Sequence, residues 1–146
     1  MPGSRFAVFA ALALSLACGD GGGGPSRDKF AGTWDATKLE FTNTANTSEK
    51  VDIIALGGTY VIDLASSGSY SAVLTPPGGA PEVTTGTWSA SADIFTLKET
   101  GTSGNMKFDY DLSGNTLTAS GANTEFDFDQ DDVQEPARLS VVLVRQ

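Results

Sequence analysis

From residue 30 to the C-terminus, apolar residues recur with a period of two, and this alternation constrains the fold more than any other feature of the chain. Tyr60, Ile62 and Leu64 alternate with Val61 and Asp63; Tyr70, Ala72 and Leu74 alternate with Ser71 and Val73. Met106, Phe108, Tyr110 and Leu112 alternate with Lys107, Asp109 and Asp111, and Leu139, Val141 and Leu143 with Ser140 and Val142. Such a period puts one set of side chains on a single face of a sheet, and no window longer than about ten residues carries the 3.6-residue period of an amphipathic helix. Turn chemistry separates the runs: Gly57-Gly58, Ser66-Ser67-Gly68, Pro76-Pro77-Gly78-Gly79, Gly101-Thr102-Ser103-Gly104 and Ser113-Gly114-Asn115. Glycine supplies the positive φ of tight hairpins, and proline cannot sit in a central strand. Strands are expected near 30–42, 49–56, 58–65, 69–75, 82–89, 93–100, 104–112, 115–121 and 136–145. The fold class is all-β: an antiparallel up-and-down meander of eight or nine strands that closes into a small barrel, or stacks as a β-sandwich with the same alternation.

The N-terminus obeys a different rule. Residues 1–5 carry one Arg and no acid, and 6–17 (FAVFAALALSLA) form an unbroken apolar run of twelve. A permanent membrane helix needs about 20 residues, so the run matches the hydrophobic region of a secretory signal peptide. It ends at Ala17-Cys18, the single cysteine. These residues resemble a bacterial lipoprotein signal, in which a Cys preceded by a small residue is lipidated and becomes the new N-terminus; Ser15 and Leu16 depart from the usual order. The segment Gly19-Asp20-Gly21-Gly22-Gly23-Gly24-Pro25-Ser26-Arg27 reads as a flexible tether with nothing apolar to bury. The expected organisation is a signal peptide at 1–17, lipidated Cys18 and tether at 18–28, and one domain at 29–146. What the resemblance implies is a membrane partner reached through acyl chains, palmitate among them, on Cys18, since several chains give stable anchoring. It also implies a place in the cell envelope, on the outer membrane, facing the periplasm or the cell surface.

Composition closes several functional classes. The chain of 146 residues has no His and one Cys, which leaves no Ser-His-Asp triad, no imidazole ligand and no cysteine-rich zinc site. Its 9 basic and 18 acidic residues give a net charge of −9, and loss of residues 1–17 with Arg5 makes it −10. A phosphate backbone needs clustered Lys and Arg, so no nucleic acid is expected, nor any cofactor. The chain reads as a non-enzyme and a monomer.

Gly32-Thr33-Trp34, a few residues into the domain, carries a second resemblance. A Gly-x-Trp on the first strand of an eight-strand meander is similar to the lipocalins. In that family the Trp closes one end of the barrel and a late Arg packs across its indole; Arg145 on the last strand is the matching position. Phe108-Asp109-Tyr110 is similar to the family's Asp-Tyr motif. The chain departs from the family in having no helix pattern after the last strands. Gly86-Thr87-Trp88 repeats the tripeptide 54 residues later, and its simplest reading is shared barrel-corner chemistry.

Three candidate sites follow. An eight-strand barrel is either filled by side chains or holds one small ligand. Inward positions Tyr60, Ile62, Tyr70, Phe95, Phe108, Tyr110 and Leu117, with Ala72 and Leu97, would line an apolar pocket for a small hydrophobic molecule, or else form a solid core. The acidic segment 125–135 holds Asp127, Asp129 and Asp131 at alternate positions, like the start of a calcium loop, but Asp132 and Arg138 break the pattern, so a solvated loop is expected. Asp109 and Asp111 share a strand face and read as surface. Loop 75–82, with three Pro and two Gly, reads as a rim connection. The sequence therefore predicts a lipid-anchored lipocalin-like binder of a small apolar ligand, or a non-catalytic envelope module for structure or protein interaction with a filled core.

Overall fold

A computed structural model describes residues 24–146; the expected signal peptide and Cys18 lie outside the described residues. Nine antiparallel strands follow a single 3₁₀ turn, Arg27–Lys29. They are β1 (Gly32–Asn43), β2 (Lys50–Asp52), β3 (Thr59–Leu64), β4 (Ser69–Thr75), β5 (Glu82–Ala90), β6 (Ile94–Glu99), β7 (Met106–Ser113), β8 (Thr116–Phe126) and β9 (Glu135–Arg145). From β3 to β9 each strand pairs with the next in the chain, and β9 returns to pair with β1. Eight strands thus close on themselves, with β2 a short extra strand on β1. Closure removes the free sheet edges that would otherwise template association, and it decides for the barrel over the sandwich.

Closure depends on β1, which serves two partners on one side. Its first residues pair with β3 (Trp34 opposite Ile62), while its last pair with β2 (Phe41 opposite Val51). On the other side it runs against β9 from Trp34 opposite Arg145 to Asn43 opposite Ala137. Between its two partners the ladder is open, and Asp52 fills the gap. Its carboxylate accepts from the backbone N–H of Leu39 at 3.1 Å and of Ile54 at 3.0 Å, and Ile53 N–H donates to the Leu39 carbonyl at 2.9 Å. A backbone donor left unpaired here would cost about 1–3 kcal/mol. Bulges between Ala36 and Lys38 and between Ser120 and Ala122 add the coiling that a small barrel needs. Gly121 occupies the second with a φ of 87°.

The strands match their sequence-based positions closely, with two differences. Only Lys50–Asp52 of the segment expected at 49–56 is strand; Gly57, at a φ of 97°, closes a turn before β3 begins. The strand expected at 115–121 continues to Phe126, since β9 offers partners as far as Glu135. Arg27 and Asp28, expected in the tether, belong to the 3₁₀ turn.

Inward side chains obey the alternation. On β8, buried Leu117 and Ala119 flank exposed Thr118; on β9, Ala137, Leu139, Val141 and Leu143 are buried in turn. Large aromatics dominate the interior, each contributing about 1.5–3 kcal/mol by leaving water. They concentrate at one end.

Candidate functional site

The barrel is solid in one half and hollow in the other. At the solid end Trp34 and Phe30 are both 0% exposed. The Phe30 ring enters from the turn that precedes β1. It lies 5.6 Å from Trp88, 5.9 Å from Phe95 and 5.6 Å from Tyr110. Such offset and edge-on contacts add about 0.5–1.5 kcal/mol per pair beyond area burial. The Trp34 indole N–H donates to the Phe30 carbonyl at 2.8 Å, which fixes the plug to the strand that follows it.

Arg145 lies across this end. Its guanidinium carbon sits 4.3 Å from the Trp34 ring centroid, within the range of a cation–π contact. Its two terminal nitrogens donate to the carbonyls of Ala31 and Lys29, so one side chain ties the last strand to the segment leading into the first. The geometry expected from Gly32, Trp34 and Arg145 is present as a unit. Gly32 has a φ of 133°, and a Cβ there would lie 3.1 Å from an Arg145 nitrogen.

The second tripeptide serves the same end by different means. Trp88 is buried, its indole N–H donates to the Ala65 carbonyl at 2.9 Å, and the Arg27 guanidinium lies 6.0 Å from its ring. Arg27 also donates to the Ser67 carbonyl at 3.0 Å. Gly86 is needed for space and not for a positive φ: a Cβ there would fall 2.0 Å from the Lys98 carbonyl oxygen and 2.8 Å from the Tyr70 ring.

The other half of the barrel encloses a cavity of about 270 Å³. Tyr60, Ile62, Tyr70, Phe95, Phe108 and Leu117 all line it, as expected of the inner face, together with Leu97 and Ala119. Tyr110 does not. Its ring packs on Phe30 and Phe95 at the solid end, and its hydroxyl donates to the Ser91 carbonyl at 2.6 Å. The plug Phe30 draws it away, a tertiary contact that alternation along β7 cannot report.

The mouth is built from the opposite strand ends: Phe41 of β1, Leu74 of β4, Glu82 and Thr84 of β5, Glu99 of β6, Met106 of β7 and Thr124 of β8. Burial raises the Tyr60 hydroxyl well above the usual tyrosine range, and Tyr70 adds to the shift. Burial also raises Tyr70, followed by the charge of Glu99, against a hydrogen bond from Thr84. Both hydroxyls are neutral donors at ordinary pH. Sequence reasoning missed Glu82 and Glu99. The signal was there in the alternation, because 82, 84, 86 and 88 share the face of buried Trp88, and 99 shares the face of Phe95 and Leu97.

The acidic segment hangs from this same end, between β8 and β9. Phe126 anchors it by stacking on Phe41 at 4.4 Å, and Phe128 meets Phe126 at 5.0 Å. Carboxylate oxygens of Asp127, Asp129, Asp131 and Glu135 lie within 4.8 Å of one another. The three aspartates at alternate positions thus converge within the loop, with Glu135 as a fourth. Several of these oxygens already serve the loop's own backbone. Asp127 accepts from the N–H groups of Asp131 at 3.2 Å and Asp132 at 3.0 Å, Asp131 from Val133 at 2.9 Å, and Glu135 from Phe128 at 2.9 Å. Partial desolvation, then the charges of Asp131 and Glu135, push the Asp129 carboxyl up. Asp109 and Asp111 are both exposed on the outer face of β7 and line no cleft. Among the described residues no helix is long and apolar enough to cross a membrane.

No protein-family model, no curated protein and no solved structure matches the chain.

Proposed function

We propose that this protein is a membrane-anchored, lipocalin-like lipoprotein of the cell envelope that holds a small apolar molecule in its barrel. The observation that carries the reading is the cavity of about 270 Å³ with an apolar lining and neutral tyrosine hydroxyls. Binding sites for small molecules are mostly apolar concavities with a few placed polar groups, and such a space in a filled module would forfeit packing. The solid end supports the same reading, because Phe30, Trp34 and Arg145 seal one side and leave the mouth at the other. The sequence up to Ala17-Cys18 and the glycine run after it support the anchor, which holds the barrel near, and not in, the membrane.

Titration of the purified protein with Nile red, an uncharged dye that brightens in apolar surroundings, tests the pocket. Saturable binding of one dye per chain is expected. Ala119→Leu, which places a larger side chain in the cavity, should abolish it while leaving the circular dichroism spectrum unchanged. Absence of saturable binding by the parent protein refutes the pocket. For the anchor, mass spectrometry of protein extracted from membranes should find an acylated Cys18 at the N-terminus; an unmodified Cys18 refutes it.

A further inference from the structure

The mouth of the cavity carries two carboxylates, and what they imply for a ligand rests on the binding function proposed above. Glu82 opens β5 and Glu99 ends β6, both on the inner faces of their strands, and both line the cavity. Glu82 is exposed at the rim and Glu99 is half-buried, and among the described residues neither carboxylate forms an ion pair. No Lys or Arg lines the cavity. The nearest basic residues along the chain, Lys98 and Lys107, alternate onto the exposed outer face of β6 and β7. Gly86, directly opposite Glu99, has no side chain, so the ring of its other neighbour, Tyr70, lies over it, and Glu99 and Thr84 both act on the Tyr70 hydroxyl. The acidic segment from Asp127 to Glu135 projects from the same end and adds to the negative potential at the entrance.

We propose that the barrel binds an apolar molecule that ends in a protonated amine, with its apolar part among Ile62, Phe95, Leu97 and Phe108 and its ammonium group at the mouth, against half-buried Glu99 and in the field of Glu82 at the rim. A molecule ending in a carboxylate meets two like charges at the mouth and, among the described residues, no lining Lys or Arg, so it is disfavoured. A neutral hydroxyl end finds the Tyr60, Tyr70 and Thr84 hydroxyls and falls between the two. The cavity has room for about nine groups of roughly 30 Å³ each, which sets the size of the probe at an eight-carbon chain.

Isothermal titration of the full-length protein with octylamine, 1-octanol and octanoate, at neutral pH and low salt, separates the possibilities. Octylamine should bind at least about tenfold more tightly than octanoate, with 1-octanol between them. Joint replacement Glu82→Gln and Glu99→Gln should shrink the amine-to-acid ratio below about threefold while 1-octanol still binds saturably. Octanoate binding as tightly as octylamine, or a ratio untouched by the double replacement, overturns the head-group inference while the pocket stands. If none of the three binds, the pocket and the head-group inference fall together.

Discussion

Replacing Arg145 by Met removes the charge and the fork while keeping a chain of similar length, so it isolates what the guanidinium contributes. Three interactions are lost together: the stack over Trp34 at 4.3 Å and the two bonds to the Ala31 and Lys29 carbonyls. The side chain is partly exposed, so each bond is discounted below the range for buried charged groups, to about 1 kcal/mol. The cation–π contact adds about 1 kcal/mol. The total of about 3 kcal/mol, at roughly 4 °C per kcal/mol for a domain between the small and large classes, lowers Tm by about 12 °C. Thermal unfolding followed by circular dichroism at pH 7 measures it. Tryptophan fluorescence should shift as well, since Trp34 and Trp88 both lie at the sealed end. Arg145→Lys keeps the charge but cannot reach both carbonyls with one planar group, and should lose about half as much. A Tm within about 2 °C of the parent for Arg145→Met would refute the reasoning, and would mean that Phe30 holds the end closed without help.

Three other outcomes are expected. Gly86→Ala forces a methyl group against the Lys98 carbonyl on backbone that cannot give way cheaply, so it should cost about 3 kcal/mol or more in urea unfolding and displace the Tyr70 ring; a loss under about 1 kcal/mol contradicts the packing. All three tyrosines have hydroxyls raised by burial, so tyrosinate absorbance of the folded protein should appear later than in urea. A raised folded-state value means that the stability is fully present below the ordinary tyrosine range near pH 10 and drains away above it; Tyr60→Phe should therefore soften alkaline unfolding, and an unchanged profile counts against burial of that hydroxyl. Asp129 is raised in the folded state too, so its contribution is lost as pH rises through the carboxylate range: Asp129→Asn should raise Tm at pH 7 and leave it unchanged near pH 3, and a lower Tm at pH 7 contradicts the repulsion.

Alternation along each strand was enough to place most of the cavity wall, because the side-chain period of a strand is local and does not depend on what the strand packs against. Ile62, Phe95, Phe108 and Leu117 could be assigned inward from their own neighbours, and so, by the same parity, could Glu82 and Glu99. Gly32, Trp34 and Arg145 were legible through family resemblance, although their chain positions lie more than a hundred residues apart. Tyr110 shows the limit. Its parity is correct and its surroundings are not, since Phe30, from outside the strand pattern, decides which half of the barrel it fills.

Local chemistry, then, determined the all-β class, the strand positions, the inner and outer faces and the turn sites, since each follows from a few consecutive residues and their backbone preferences. The tertiary structure alone decided three things. β1 meets β9, which closes a barrel where the same pattern would also make a sandwich. Phe30 and its aromatic neighbours fill one end only, leaving a hollow at the other. Gly86 yields its space to the Tyr70 ring, which packs over it across the strand pair. Each depends on contacts between distant segments, whose distances no local period encodes.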